Sequence, residues 1–280
     1  MMSINARSAW LQILTLCTVF ALVYNHTLVK LVKDWSTDDN FSHGFMIPFI
    51  AAFILWYNRE KIKSAAIGTS KWGYALIVAG MLLHIAGNIG AELFTMRFSI
   101  VVTLMGLTLL LFGSEVFKIA LVPLCYLIFM IPIPAILWNK IAFPLQLFAA
   151  RLSGDLIGFI GITVFRDGNI LHLANTSLEV VDACSGLRSL TSMLALSAAF
   201  ACIAALKRSG KWLLFLAAIP IAVIVNIVRL TVTAILAYHI GPETAEGFLH
   251  EMSGILVFLV ALVLLYFTHV LLAKSRLKAS

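Results

Sequence analysis

The sequence predicts an all-α polytopic membrane protein of about eight transmembrane helices, with a small extracytoplasmic β-meander and an interfacial helix. Three observations carry that prediction. The 280 residues are 61% hydrophobic and only 12% charged, where a soluble domain carries about a quarter charged residues. Apolar runs of roughly 20 residues, the length that crosses a bilayer, recur along the chain. Between residues 163 and 182 the pattern changes to short apolar clusters separated by turn residues.

The expected spans cover residues 10–29, 44–56, 72–90, 98–112, 117–137, 186–206, 212–237 and 254–273. The first follows a short start carrying Arg7. It is long for a signal-peptide core and no small-x-small cleavage site follows, so it reads as a retained signal anchor. The second and fourth are short unless extended at their ends, and Pro48 and Pro123 lie near helix ends, where proline costs least. Residues 140–162 carry Pro144, Arg151 and Asp155 and begin and end on one side, which reads as an amphipathic interfacial helix or a re-entrant turn. Then come three strand-like clusters: Val164 and Phe165; Ile170, Leu171 and Leu173; Leu178, Val180 and Val181. Asp167-Gly168 marks a hairpin between the first two, and Asn175-Thr176-Ser177 separates the next pair. No repeat or linker interrupts the chain, so residues 1–280 read as a single integral membrane domain.

The net charge of +7 would suggest nucleic acid in a soluble protein. Here there is no zinc-finger spacing and no basic-aromatic surface, so nucleic acid is excluded as a partner. The cations gather in loops: Arg59, Lys61, Lys63 and Lys71; Lys207, Arg208 and Lys211; Lys274, Arg276 and Lys278. The alternate loops are acidic or mixed: Asp34, Asp38 and Asp39; Glu92 and Arg97; Glu243, Glu246 and Glu251. The positive-inside rule makes the basic loops and both termini cytoplasmic. The lipid bilayer is then the one partner that composition alone supplies.

Cys17, Cys125 and Cys202 lie inside apolar runs, where cysteine is a small hydrophobe. Cys184 differs. It stands where the polar, strand-like segment meets a long apolar run, followed by Ser185 and Gly186, with Arg188 one turn on. A thiol at a helix start feels the unsatisfied N–H groups, which favour thiolate. Its rival reading is a buried structural thiol. Arg229 lies in the seventh run near its outer end, with Asn226 one turn below on the same face. An arginine inside a membrane helix costs roughly 2.5–3.5 kcal/mol unless it faces a partner or polar cavity. The rival, stronger for Arg188 than for Arg229, is a structural arginine paired with an acid such as Glu179 or Asp182. His250 opens the eighth helix beside Glu251 and Ser253. The zinc-protease motif fails because position 254 is glycine, and no metal or cofactor is expected. A cysteine, an arginine and a histidine at one depth suit acyl transfer: nucleophile, oxyanion stabiliser and acid/base.

Residues 183–190 (Ala-Cys-Ser-Gly-Leu-Arg-Ser-Leu), 226–229 (Asn-Ile-Val-Arg) and His250 with Ser253-Gly254 resemble the three signature blocks of the exosortase family. Residues 35–48 resemble that family's N-terminal motif. Archaeal relatives tend to have arginine in place of His250, so the bacterial branch fits better. The resemblance implies a cysteine transpeptidase of the bacterial inner membrane, its site facing the periplasm. Its partners would be exported proteins ending in a short motif such as Pro-Glu-Pro, a transmembrane helix and a basic tail. It implies Cys184 as nucleophile, Arg229 as oxyanion stabiliser and His250 as acid/base, and an association with exopolysaccharide systems. The expected chain lacks the extra C-terminal domain of some relatives. Asn226, Ser185, Arg188 and His43 are supporting or substrate-binding candidates, His43 equally a structural cap on helix two. His172 and His239 read as ordinary surface histidines. A transporter, or a non-catalytic membrane component of exopolysaccharide export, is the alternative reading. Oligomeric state is left open.

Overall fold

The computed structural model describes residues 6–174, 176–179, 187–241 and 248–278. They form two compact units, one of residues up to Phe45 and 58–132, the other of Met46–Tyr57 and the chain from Ile133 onward. Among the described residues, six helical stretches are long and apolar enough to cross a membrane: Leu14–Thr37, Asp39–Tyr57, Trp72–Ile89, Leu93–Met130, Arg208–His239 and Gly254–Lys274. The polytopic all-α expectation holds.

The first unit contains α1 (Ala6–Thr37), a 3-10 segment (Asp39–Phe45), α3 (Arg59–Ser64), α4 (Trp72–Ile89), α5 (Leu93–Tyr126) and a second 3-10 segment (Leu127–Met130). Glycine spacing explains the α4–α5 hairpin. Gly73, Gly80 and Gly87 recur every seventh residue, so they share one face of α4. A Cβ on Gly73 would stand 2.6 Å from Leu110 and one on Gly87 2.8 Å from Met96. Only glycine lets the two backbones approach this closely, the device by which helices associate in lipid.

The 38-residue stretch Leu93–Met130 is two passes, not one. Its helix breaks at Gly113, whose φ of 80° and ψ of −178° suit only glycine. Asp34 and Trp35 are neighbours on α1, yet Asp34 grips Arg97 near the start of the first arm and Trp35 donates to the carbonyl of Met130 past the second. A straight helix would hold Arg97 and Met130 about 50 Å apart, so the arms double back. This agrees with expected spans at 98–112 and 117–137, except that the second ends at Met130. The correction has a plain cause: Pro132 and Pro134 follow, and Pro134 starts the next helix.

Two polar contacts fix the upper end of this unit. Glu92 caps α5, its carboxylate accepting from the amides of Phe94 (3.0 Å) and Thr95 (2.6 Å). Burial pushes its pKa up, but the hydrogen bonds from Thr95 and Phe94, with the Arg97 charge, outweigh it and hold the carboxyl below its usual value. A depressed folded pKa means that the cap contributes fully above the ordinary glutamate range and is lost as pH falls through the lowered value. Glu92→Gln is therefore expected to cost about 1 kcal/mol at neutral pH and to flatten the acid limb of a thermal melt series in detergent.

The second contact is between Arg97 and Asp34, at 2.6 Å, with the arginine side chain only 2% exposed and the aspartate 37%. Sequence reading counted Arg97 among the outer-loop charges. It is instead buried in α5, its charge neutralised from α1. Asp34→Ala would leave that charge uncompensated and is expected to destabilise the protein by about 2–3 kcal/mol. The measurement is the detergent melting curve, and Arg97→Met in the same chain should recover part of the loss.

The second unit contains α2 (Met46–Tyr57), α6 (Ala135–Phe159), β1 (Val164–Asp167), β2 (Ile170–Leu173), β3 (Ser177–Glu179), α7 (Leu187–Ile203), α8 (Arg208–His239) and α9 (Phe248–Lys278). The three strands form an antiparallel meander in the order β1-β2-β3. Asp167 pairs with Ile170 across a two-residue turn in which Gly168 has φ 59°. Leu171 and Leu173 alternate inward and pack with Ala149, Ala150 and Ile157 of α6 and Ile227 and Leu230 of α8. Val180 and Val181, expected in the third strand, lie outside the described residues. The stretch expected as an interfacial helix or re-entrant turn is one unbroken helix, α6, longer at its start because Pro134 sets its first turn. Its buried side combines the larger Trp138, Gln146 and Ile157 with the small residues Ala142, Ala149, Ala150, Ser153 and Gly154, and Ser153 reaches the Ile227 carbonyl of α8.

Candidate functional site

Arg229 is half-buried in α8. Its face of the helix follows from what lies below it. Leu214, Ala218, Ala222 and Val225 repeat at helical spacing and share one core with Leu190 and Met193 of α7 and Val257, Ala261 and Leu265 of α9. Arg229 falls four residues beyond Val225, so it continues this stripe upward. Asn226, on the same side one turn back, is 1% exposed. The opposite side of α8 is held by the carbonyl of Ile227, which accepts from Ser153 Oγ of α6 at 3.3 Å and Thr231 Oγ1 at 2.9 Å. The Ser153 bond ties that side of α8 to α6, and the stripe through Val225 turns Arg229 toward the α7/α9 side.

The depth of α7 against α8 is readable from two contacts. Ser197 Oγ donates to the carbonyl of Phe215 (3.5 Å), and Lys211 Nζ donates to that of Cys202 (3.1 Å). Both set the same antiparallel register. Followed up the pair at equal rise, it brings Leu187, the first residue of α7, level with Val225 and Asn226. The chain arrives there from β3, whose last residue, Glu179, pairs with Ile170.

Cys184 and Ser185 lie outside the described residues. Arg188 is in the first turn of α7 and His250 in the first turn of α9, each described by its backbone alone. Successive helices with short connections run antiparallel, so the N-termini of α7 and α9 and the upper part of α8 meet at one end of this unit. Two helix N-termini beside an arginine make a strongly anion-stabilising end. His43 belongs to the first unit, half-buried in the 3-10 segment that leads into α2. Its Nδ1 has no hydrogen-bond partner among the described residues, and the neighbouring Gly44 is pressed against the Trp35 ring.

A protein-family model described as transmembrane exosortase matches residues 35–267. The chain belongs to the transmembrane exosortase family. The match spans both compact units and contains every residue named above as a site candidate. No curated protein and no solved structure matches the chain. Family membership is consistent with cysteine transpeptidase chemistry in general.

Sequence reasoning missed the Asp34–Arg97 pair. Its partners are 63 positions apart, so nothing local to either residue marks it. The remaining cysteines behave as the sequence implies. Cys17 and Cys125 are exposed on helices and Cys202 is half-buried.

Proposed function

We propose that this exosortase-family chain is a membrane cysteine transpeptidase that removes the C-terminal sorting signal of exported proteins. The substrate class is a short motif such as Pro-Glu-Pro, then a transmembrane helix, then a basic tail. Arg229 carries the reading most strongly. It extends an apolar stripe into the place where α7 and α9 begin, so a fixed positive charge stands at the end of the unit where an oxyanion would form in the proposed reaction.

Cys184 is three residues ahead of α7, whose register supports a depth close to that of Arg229. Val257, Ala261 and Leu265 of α9 share one core with Ala222, Ala218 and Leu214 of α8, and an antiparallel run of the two helices supports a similar depth for His250. In the proposed step the Cys184 thiolate attacks the scissile carbonyl, forming a C–S bond. The oxyanion is stabilised by the Arg229 guanidinium and by amides at the start of α7. Collapse breaks the C–N bond, and the anchor leaves as an amine that takes its proton from His250. A second nucleophile gives its proton to His250 and takes the acyl group, restoring the thiol. Water in that role makes the enzyme a protease. Asn226, Ser185 and Arg188 support the site, and His43 contacts substrate or caps the second helix.

The positive-inside pattern supports an inner-membrane protein with cytoplasmic termini and a periplasmic site. A transporter, or a non-catalytic partner in exopolysaccharide export, would not depend on these three side chains together. Co-expression with a tagged protein bearing such a signal tests the reading. Wild type is expected to shift the substrate on a gel and Cys184→Ser to leave it unshifted; equal shifts with both chains would overturn it.

A further inference from the structure

We propose that a groove between α2, α7 and α9 holds an acyl chain of an anionic phospholipid, whose headgroup rests on the cations beside the end of α7. The groove is a cavity of about 300 Å³ lined by Ile50 and Phe53 of α2, Phe200 and Ile203 of α7, and Leu262 and Tyr266 of α9, among others. It lies wholly within the second unit. Apart from the tyrosine hydroxyl, the side chains that line it are hydrocarbon, so its occupant is apolar along its length. The His269 ring, 4.8 Å from that of Phe200, flanks it one turn beyond Tyr266.

Charge at one end selects among apolar occupants. Ile203 is the last residue of α7, and beside it the Lys211 ammonium lies 3.1 Å from the Cys202 carbonyl. Lys207 and Arg208 follow within five residues and are exposed, and Lys274 is exposed two turns beyond Tyr266 on α9. Among the described residues none of these cations is ion-paired to a carboxylate. The sequences of α2, α7 and α8 contain no aspartate or glutamate, and the one in α9, Glu251, lies at its opposite end. An apolar slot ending in uncompensated cations matches a phospholipid with a net negative head; basic pockets between membrane helices bind such heads. A transmembrane helix followed by a basic tail would bring like charges to this end, so a substrate anchor of the class proposed above is disfavoured here. The inference is independent of the catalytic reading.

The test is native mass spectrometry of the delipidated full-length protein, titrated with phosphatidylglycerol or phosphatidylcholine of identical acyl chains. Basic side chains beside an anionic head each add to its affinity, so wild type is expected to favour phosphatidylglycerol by at least about tenfold. Lys207→Gln with Arg208→Gln, both exposed, should bring that preference within about twofold. Ile203→Trp should weaken both lipids. Equal wild-type affinities, an undiminished preference in the Lys207→Gln/Arg208→Gln chain, or undiminished binding of both lipids to Ile203→Trp would overturn the proposal. So would a photo-crosslinker at position 53 that traps a polypeptide rather than a lipid in cell membranes.

Discussion

A Cys184→Ala chain is expected to leave sorting-signal processing at least about 1,000-fold below wild type. In the proposed mechanism the sulfur forms and breaks the acyl bond, so no neighbouring group substitutes for it. Cys184→Ser is expected to lie close to Cys184→Ala, because a serine hydroxyl is far harder to ionise than a thiol. The readout is the rate of substrate shift per unit of enzyme in the membrane. A structural thiol predicts a different pattern: serine preserves the shape, so Cys184→Ser would process at nearly the wild-type rate.

Arg229→Ala is expected to lower kcat by about 100- to 1,000-fold with little change in KM, the signature of a donor that acts on charge developing in the transition state. Arg229→Lys should recover part of the rate. Lysine keeps the charge but loses the planar fork of donors and shortens the reach. A purely structural arginine would show itself through lower membrane abundance and a lower melting temperature, with the remaining folded enzyme turning over normally.

Much of this was legible because membrane sequences are locally explicit. Apolar length announced the helices, and Asp167-Gly168 announced the hairpin that the structure builds with Gly168 in the left-handed region. The break between the fourth and fifth spans was also visible, though the residue responsible, Gly113, shows its role only in its backbone angles. Boundaries failed where proline was underweighted. Pro132 and Pro134 end one pass and start α6, where the sequence reading ran the fifth helix on to residue 137. Arg97 was misjudged because its partner Asp34 is remote in sequence, and burial of a charge cannot be inferred from its neighbours along the chain. For the candidate site, the sequence marked Arg229 as costly. The stripe through Ala218, Ala222 and Val225 shows which face of α8 it lies on. The groove below had no sequence signal, since isoleucine, phenylalanine and leucine on membrane helices look alike whether they face lipid or a cavity.

The central claim is that Cys184 carries the acyl group. Intact-mass analysis of the purified enzyme, quenched in acid during turnover of a signal-bearing substrate, tests it most directly. The account predicts a mass increase equal to the substrate's N-terminal fragment, mapped to Cys184, removed by hydroxylamine and missing from Cys184→Ala. Steady turnover with no adduct at any time point, or an adduct mapped to another residue, would contradict it.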